Sequence, residues 1–268
     1  MTDLPQTEAL DLEYDAGWLT VWFNQPEARN PLTDKRISEL DDVCTAIRDN
    51  RDIRGVTIRG RGGMFCAGGD LKSFKSAFQG DASRDEIIAM SLAAAAVFDS
   101  INSLPQVTVM AIEGAAVAGG FGLACVGDLV IADEAARFSL TETTIGLVPA
   151  QITPFILERL GMREGRRLML LAPMIGAAEA KAAGLVDTVV SGPEAMAAEI
   201  EAIQAQVRRS APGAVADTKR LILTLPSMER EAQADAAAQT FADRMVSDEA
   251  REGIASFLEK RKPEWAER

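Results

Sequence analysis

An absence sets the residue types available for chemistry: the 268-residue chain contains no histidine. Ser-His-Asp and Cys-His nucleophile systems both need an imidazole base, so neither can be built. Zinc sites that rely on His are excluded as well. Acid/base work near neutral pH must run on a carboxylate of adjusted pKa, on Lys, on Cys or on Tyr14, and 40 Asp plus Glu make carboxylates the first candidates. Cys44, Cys66 and Cys125 are odd in number and lack CxxC spacing, which suits buried small side chains in a reducing cytosol and gives no metal or redox pair.

Glycine supplies the other candidates. Gly62-Gly63 to Gly68-Gly69 and Gly119-Gly120 with Gly122 form two clusters, and neither is a GxxxxGK[ST] loop, a GxGxxG turn after a strand or a GxSxG elbow. Either one alone reads as a tight strand-to-helix turn that needs positive φ. Together they could aim main-chain N–H groups at one point, forming an oxyanion hole for charge developing on a carbonyl oxygen.

The elements that would hold these loops follow from periodicity. Leu10, Leu12 and Tyr14, then Leu19, Val21 and Phe23 after the Asp15-Ala16-Gly17 turn, alternate as a hairpin. Asn24 to Leu32 is a Pro-containing loop, and Thr33 caps a helix whose apolar stripe is Ile37, Leu40, Val43 and Ile47. Val56 and Ile58 lie on a strand that enters the Gly60 to Gly69 loop. Asp85 to Ser103 is helical, Val107 to Ile112 is a strand buried on both faces, Gly114 to Gly122 opens a helix, and Leu129 to Ala132 is a further strand. This alternation predicts an α/β layer with a largely parallel sheet and ligands at its strand ends. From Thr153 helices dominate: Met196, Ile200, Ile203 and Val207 mark one, followed by Ala214 to Leu223, Arg230 to Val246 and Asp248 to Lys260, with only Leu185 to Val190 extended.

A net charge of −12 argues against nucleic acid as a partner. Met1 to Ala9 is acidic and polar, unlike a signal or transit peptide, and Val107 to Leu123 carries Glu113 and four glycines, unlike a membrane span, so a cytoplasmic protein is expected.

Specific motifs sharpen these expectations. Phe65-Cys66-Ala67-Gly68-Gly69-Asp70-Leu71 resembles the pattern F-x-A-G-x-D-[IL], and Gly114 to Leu123 followed by Asp128 resembles a second, Gly-rich signature. Both belong to the crotonase, or enoyl-CoA hydratase/isomerase, superfamily. Asn24 to Leu32, Ala136 to Pro149, and Arg251-Glu252-Gly253 with Phe257 to Pro263 agree in the same order, so the likeness covers nearly the whole chain.

The resemblance implies an α/β fold: a crotonase-type spiral of ββα units over 1–195 with the CoA and catalytic site, and a helical C-terminal trimerisation region over 196–268. It implies an acyl-CoA thioester as substrate, no cofactor besides the CoA of the substrate, and a homotrimer or a dimer of trimers. Gly69 and Gly119 match the family's oxyanion donors, and Gly119 would stand at a helix start with its N–H unpaired within the helix. Ala28, Arg29, Leu32, Ala67, Gly68, Asp70 and Leu71 match positions along the CoA path. Arg29, Lys72, Lys75 and Lys260-Arg261-Lys262 are candidate cations for its phosphates.

Hydratases of this family hold a water between two glutamates. Glu142 matches the second, and the first falls on Gly122. Three readings stay open: a hydratase working with Glu142 alone, a Δ3,Δ2-enoyl-CoA isomerase, or a non-catalytic acyl-CoA or protein-binding relative. The run from Leu140 to Phe155 with Gly122 is similar to bacterial hydratases of 3-branched glutaconyl-CoA substrates, of the methylglutaconyl-CoA or isohexenylglutaconyl-CoA type, which serve leucine and terpene breakdown. On that reading Gly122 is a substrate-binding position that leaves space for a 3-substituent or a second carboxylate.

Overall fold

The structure is a computed structural model and describes residues 4–70, 75 and 79–266. Strands β1 (Leu10–Asp15) and β2 (Trp18–Phe23) form the expected antiparallel hairpin. β3 (Gly55–Gly60), β4 (Val107–Ile112), β6 (Leu129–Asp133) and β9 (Thr188–Val190) continue the sheet in parallel, in the order β1-β2-β3-β4-β6-β9.

β4 shows why its sequence is almost unbroken hydrocarbon. Side chains alternate across a strand, so Met110 and Ile112 enter one core while Val109 and Ala111 enter another. The first core lies under α1 (Asp34–Ile47), α2 (Arg84–Asn102), α3 (Gly119–Val126) and α4 (Thr153–Leu171). The second lies under α6 (Gly192–Arg208), where Met196, Ile200 and Ile203 are buried against Val109, Ala111 and Ile131. Burying each of Met196, Ile200 and Ile203 contributes about 2 kcal/mol. α6 runs through residue 195 and covers the sheet. α5 (Ala177–Ala182) precedes it, and α7 (Pro212–Thr224), α8 (Arg230–Met245) and α9 (Asp248–Glu259) follow.

Local signals place the helix starts. The Thr33 side chain accepts from the Arg36 N–H at 3.2 Å and caps α1. Ser83 and Glu86 form a capping box at α2. No helix among the described residues is long and apolar enough to cross a membrane.

A second, small sheet was not legible in the periodicity. β5 (Ala115–Val117) pairs in parallel with β7 (Arg137–Ser139), and β8 (Ile175–Gly176) pairs antiparallel with β7. The segment 114–122 thus holds a short strand before its helix.

Candidate active site

The small sheet gathers the chemistry. Cys66 forms a parallel bridge with Ala116: its N–H donates to Ala115 O at 3.0 Å, and Val117 N–H donates to Cys66 O at 2.9 Å. β5 runs parallel to β7 on its other side, with Val117 opposite Ser139. Three chain segments therefore run side by side in one direction. Each delivers its next residues to the same end: Gly68 and Gly69 after Cys66, Gly119 after Val117, and Glu142 after Ser139. Ligands gather at such ends, where parallel strands finish.

The two glycine loops touch. A Cβ placed on Gly68 would lie 2.8 Å from Ala118 Cβ, 2.9 Å from Val117 O and 3.4 Å from the Gly119 nitrogen. One placed on Gly119 would lie 2.9 Å from Leu32 Cδ1 and 3.8 Å from the Gly69 nitrogen. Gly68 also has φ +92°, so glycine is required there by space and by backbone. Gly119 opens α3, whose first turn has no intrahelical acceptors for its N–H groups. Ala118, just before it, holds φ 50° and ψ −119°, a costly conformation for a residue with a Cβ, and its N–H is anchored on Ser139 O at 2.9 Å.

The Asn24 to Leu32 loop completes the wall. Leu32 bridges Gly69 in parallel: Leu32 N–H donates to Gly68 O at 2.8 Å, and Asp70 N–H donates to Leu32 O at 3.3 Å. This leaves the Gly69 N–H pointing away from Leu32. Ala67 N–H donates to Arg29 O at 3.0 Å. Ala28 and Arg29 are exposed, whereas Leu32 and Gly68 are buried and Ala67 and Asp70 are half-buried. Leu71 and Lys72 lie outside the described residues.

Two residues that hold this loop were not singled out by the sequence. Asn30, fully buried at φ 50°, accepts from Gln25 N–H at 2.8 Å and donates to Arg61 O at 3.0 Å and Met64 O at 2.6 Å. Arg36, also fully buried, donates to Pro31 O, to Gln25 Oε1 at 3.2 Å and to Ala9 O at 3.4 Å. A signal for Arg36 existed: it stands four residues before Leu40 on the apolar stripe of α1, where an unpartnered charge would be costly.

Glu142 begins a single 3-10 turn, Glu142–Ile145, that Gly146 closes with φ 78°. Thr143 Oγ1 donates to Met169 O at 3.3 Å and ties the turn to α4. Glu142 Oε2 is shielded from solvent and has no hydrogen-bond partner among the described residues. Burial raises its pKa above the ordinary glutamate value, opposed by its own backbone N–H. Cys66, below the glycine loops, receives the Gly68 N–H at 3.4 Å, and burial pushes its thiol up to about 11, far from a working thiolate.

Two expectations are corrected. Position 122 does not open a space: a Cβ there would lie 2.2 Å from Ile152 Cγ2, 2.8 Å from Ile152 Cβ and 3.3 Å from Phe98 Cε1. Ile152 and Phe98 fill that volume and are themselves buried. The Lys260-Arg261-Lys262 cluster does not face this chain's glycine loops. Arg261 and Lys262 line a depression with Arg208 and Arg209. Arg208 donates to Ala16 O at 3.1 Å, and Arg54 donates to Val207 O and Trp265 O, so the depression lies where β2 and β3 begin. A six-residue strand, roughly 20 Å, separates that end from the loops that follow β3. Arg29 and Lys75 are exposed.

A mixed α/β core, a glycine-lined convergence of main-chain N–H groups and a half-buried carboxylate with one shielded oxygen define the crotonase class, and the chain belongs to the enoyl-CoA hydratase/isomerase family, whose profile matches residues 13–268. A Thermus thermophilus relative, provisionally named an enoyl-CoA hydratase, is 35% identical over 243 residues, covering 91% of this chain and 95% of its own. The solved structure of Pseudomonas aeruginosa AtuE superposes with a TM-score of 0.93 at 39% identity, covering 97% of this chain and 100% of that one. An enoyl-CoA hydratase/isomerase from Marinobacter aquaeolei gives 0.93 at 37% identity, covering 96% and 99%.

Proposed function

We propose that this chain hydrates a 2-enoyl-CoA thioester, with the N–H groups of Gly69 and Gly119 donating to the thioester oxygen and Glu142 moving the proton. One observation carries the reading: a carboxylate oxygen buried without a partner stands at the same sheet end as two converging glycine loops. Water attacks C3 as Glu142 takes one of its protons. The C2–C3 π electrons shift toward the thioester oxygen, where main-chain dipoles offset the charge, and Glu142 returns the proton to C2. The elements of water are added across the double bond, and the thioester itself acidifies C2, so the proposed steps draw on no separate cofactor.

The acyl group is proposed as 3-branched, on the similarity of Leu140 to Phe155. The Ala28 to Leu32 loop and the Ala67 to Leu71 segment are proposed as the CoA path, since Leu32 packs between the two glycine loops. A homotrimer or pair of trimers forms part of the proposal: Phe257 and Leu258 on α9 are 82% and 73% exposed, and Phe241 on α8 is 67% exposed, as suits surfaces covered by another copy. The cytoplasm is the proposed location, in keeping with three free, buried thiols.

Isomerisation is the second reading, favoured by the hydrocarbon that fills position 122, because one base suffices to carry a proton between carbons. The purified protein should consume the conjugated absorbance of a 2-enoyl-CoA, and Glu142→Gln should lower kcat by about 10²–10⁴-fold. Turnover of only the 3-enoyl thioester would replace the hydratase reading with the isomerase one. Turnover of neither would leave a binding module.

A further inference from the structure

We propose that Ile152 fixes this centre as a one-carboxylate site: its side chain owns the volume that any side chain at 122 would need, so position 122 gives Glu142 no second carboxylate beside the reacting carbons. The inference rests on the functional reading above. Gly122 stands three residues after Gly119 on α3, and residues so spaced are neighbours on one helix surface. A side chain at 122 would therefore project beside the Gly119 amide, where a second carboxylate could hold a water against Glu142. Hydrocarbon stands there instead.

The exclusion is firm because Ile152 cannot swing aside. Its Cβ, not only its methyl, would lie 2.8 Å from a Cβ at 122, so no χ1 rotation clears the clash, and a β-branched side chain is stiff at χ1 in any case. Its backbone is held at the start of α4: Ile156 N–H donates to Ile152 O at 3.0 Å, and the adjacent Thr153 N–H donates to Pro149 O at 3.0 Å. On the α2 side, Phe98 Cε1 would lie 3.3 Å from a Cβ at 122, and Phe98 packs on Phe155 with ring centroids 6.2 Å apart, so the position is closed there as well.

Among the described residues, the charged groups of α4 are paired or exposed. On α4, Arg159 is paired with Asp187, Arg163 and Arg167 with Glu164, and Glu158 and Arg166 are exposed. Two carboxylates sharing a water would titrate as a coupled pair with two apparent values. A lone glutamate gives one ionisation, and because the carboxylate form takes the proton from water, kcat/KM rises with pH through that single step.

The test is a cycle of four proteins: parent, Gly122→Glu, Ile152→Gly, which removes the Cβ as well as the methyls, and the double variant. Each is measured for Tm and for the pH profile of kcat/KM on a 2-enoyl-CoA. Gly122→Glu alone is expected to lower Tm by about 4–10 °C through overpacking. The double variant should lose much less than the two single losses added, and its profile should gain a second ionisation that the parent lacks. Additive Tm losses, or a Gly122→Glu protein as stable as the parent, would overturn the claim that Ile152 holds this volume. Two ionisations of the parent between pH 4 and 9, or a stable double variant with the parent's profile, would overturn the claim about titration. A parent inert on every enoyl thioester overturns the functional reading and the titration claim with it, while the Tm cycle still decides the packing claim.

Discussion

The same carboxylate that is proposed to work should weaken the fold, and Glu142→Gln measures by how much. Burial raises the pKa of Glu142 in the folded chain above its unfolded value. Between those values the folded state binds more protons than the unfolded state, so stability falls as pH rises through the window and stays lower above it. Below about pH 4.3, the ordinary glutamate value, both states are protonated and no penalty exists. Oε2 is shielded and unpartnered. A buried polar atom left unsatisfied costs about 1–3 kcal/mol, and the low end applies because the residue as a whole is only half-buried. Glutamine does not titrate, so the variant and the parent should unfold alike at about pH 3.5, below the ordinary glutamate value. By pH 8 the variant should be the more stable by about 1 kcal/mol, or roughly 2–4 °C. Urea midpoints at half-unit pH steps give the comparison, in which every other titrating group cancels. A gap that is flat with pH, or that favours the parent at pH 8, would refute the assignment of Glu142 as a carboxylate held at a cost for chemistry.

Two further outcomes follow from the packing. Lys219 is 8% exposed and donates to Asp128 Oδ2 at 2.7 Å and to Gln106 O at 3.2 Å. Asp128→Ala strands that ammonium and should cost about 3–5 kcal/mol, whereas Lys219→Met leaves hydrocarbon in place and a partly exposed carboxylate, and should cost about 1 kcal/mol or less. Thermal unfolding that showed the reverse order would refute this asymmetry. Gly68→Ala forces a Cβ against Ala118 and Val117 at φ +92° and should push the two glycine loops apart. A displacement of about 1 Å lowers kcat about 10²-fold, so the variant's kcat on a 2-enoyl-CoA should fall well beyond what its Tm change explains.

The large sheet was legible because each of its signals is local. β4 announces burial on both faces by its nearly unbroken apolar run, Thr33 announces α1, and the spacing of Met196, Ile200 and Ile203 announces the helix that covers the sheet. The small sheet was not legible. Three residues, Ala115–Val117, offer no period to detect, yet their pairing with Cys66 on one side and β7 on the other brings Gly69, Gly119 and Glu142 to one end. Glu142 was found only through the family pattern, since nothing local separates it from the other carboxylates. Its solvent-shielded oxygen is a tertiary property. Ile152 had no signal at all: its meeting with Gly122 joins α3 to the start of α4, far along the chain, and the sequence-based expectation of open space there was reversed by it.

The parallel bridges that join Leu32 to Gly69 and Cys66 to Ala116 have a consequence for how this scaffold can vary through descent. They orient main-chain amides, and a codon change other than one to proline leaves an amide N–H in place. The polarising half of the proposed chemistry is therefore inherited by any descendant that keeps the fold, beyond the reach of most point mutations. The proton-moving half rests on the side chain at 142 and on what positions 122 and 152 together admit beside it, which side-chain replacement can change. Divergence among relatives should accordingly be concentrated in what is done with the proton, while the treatment of the thioester oxygen stays constant.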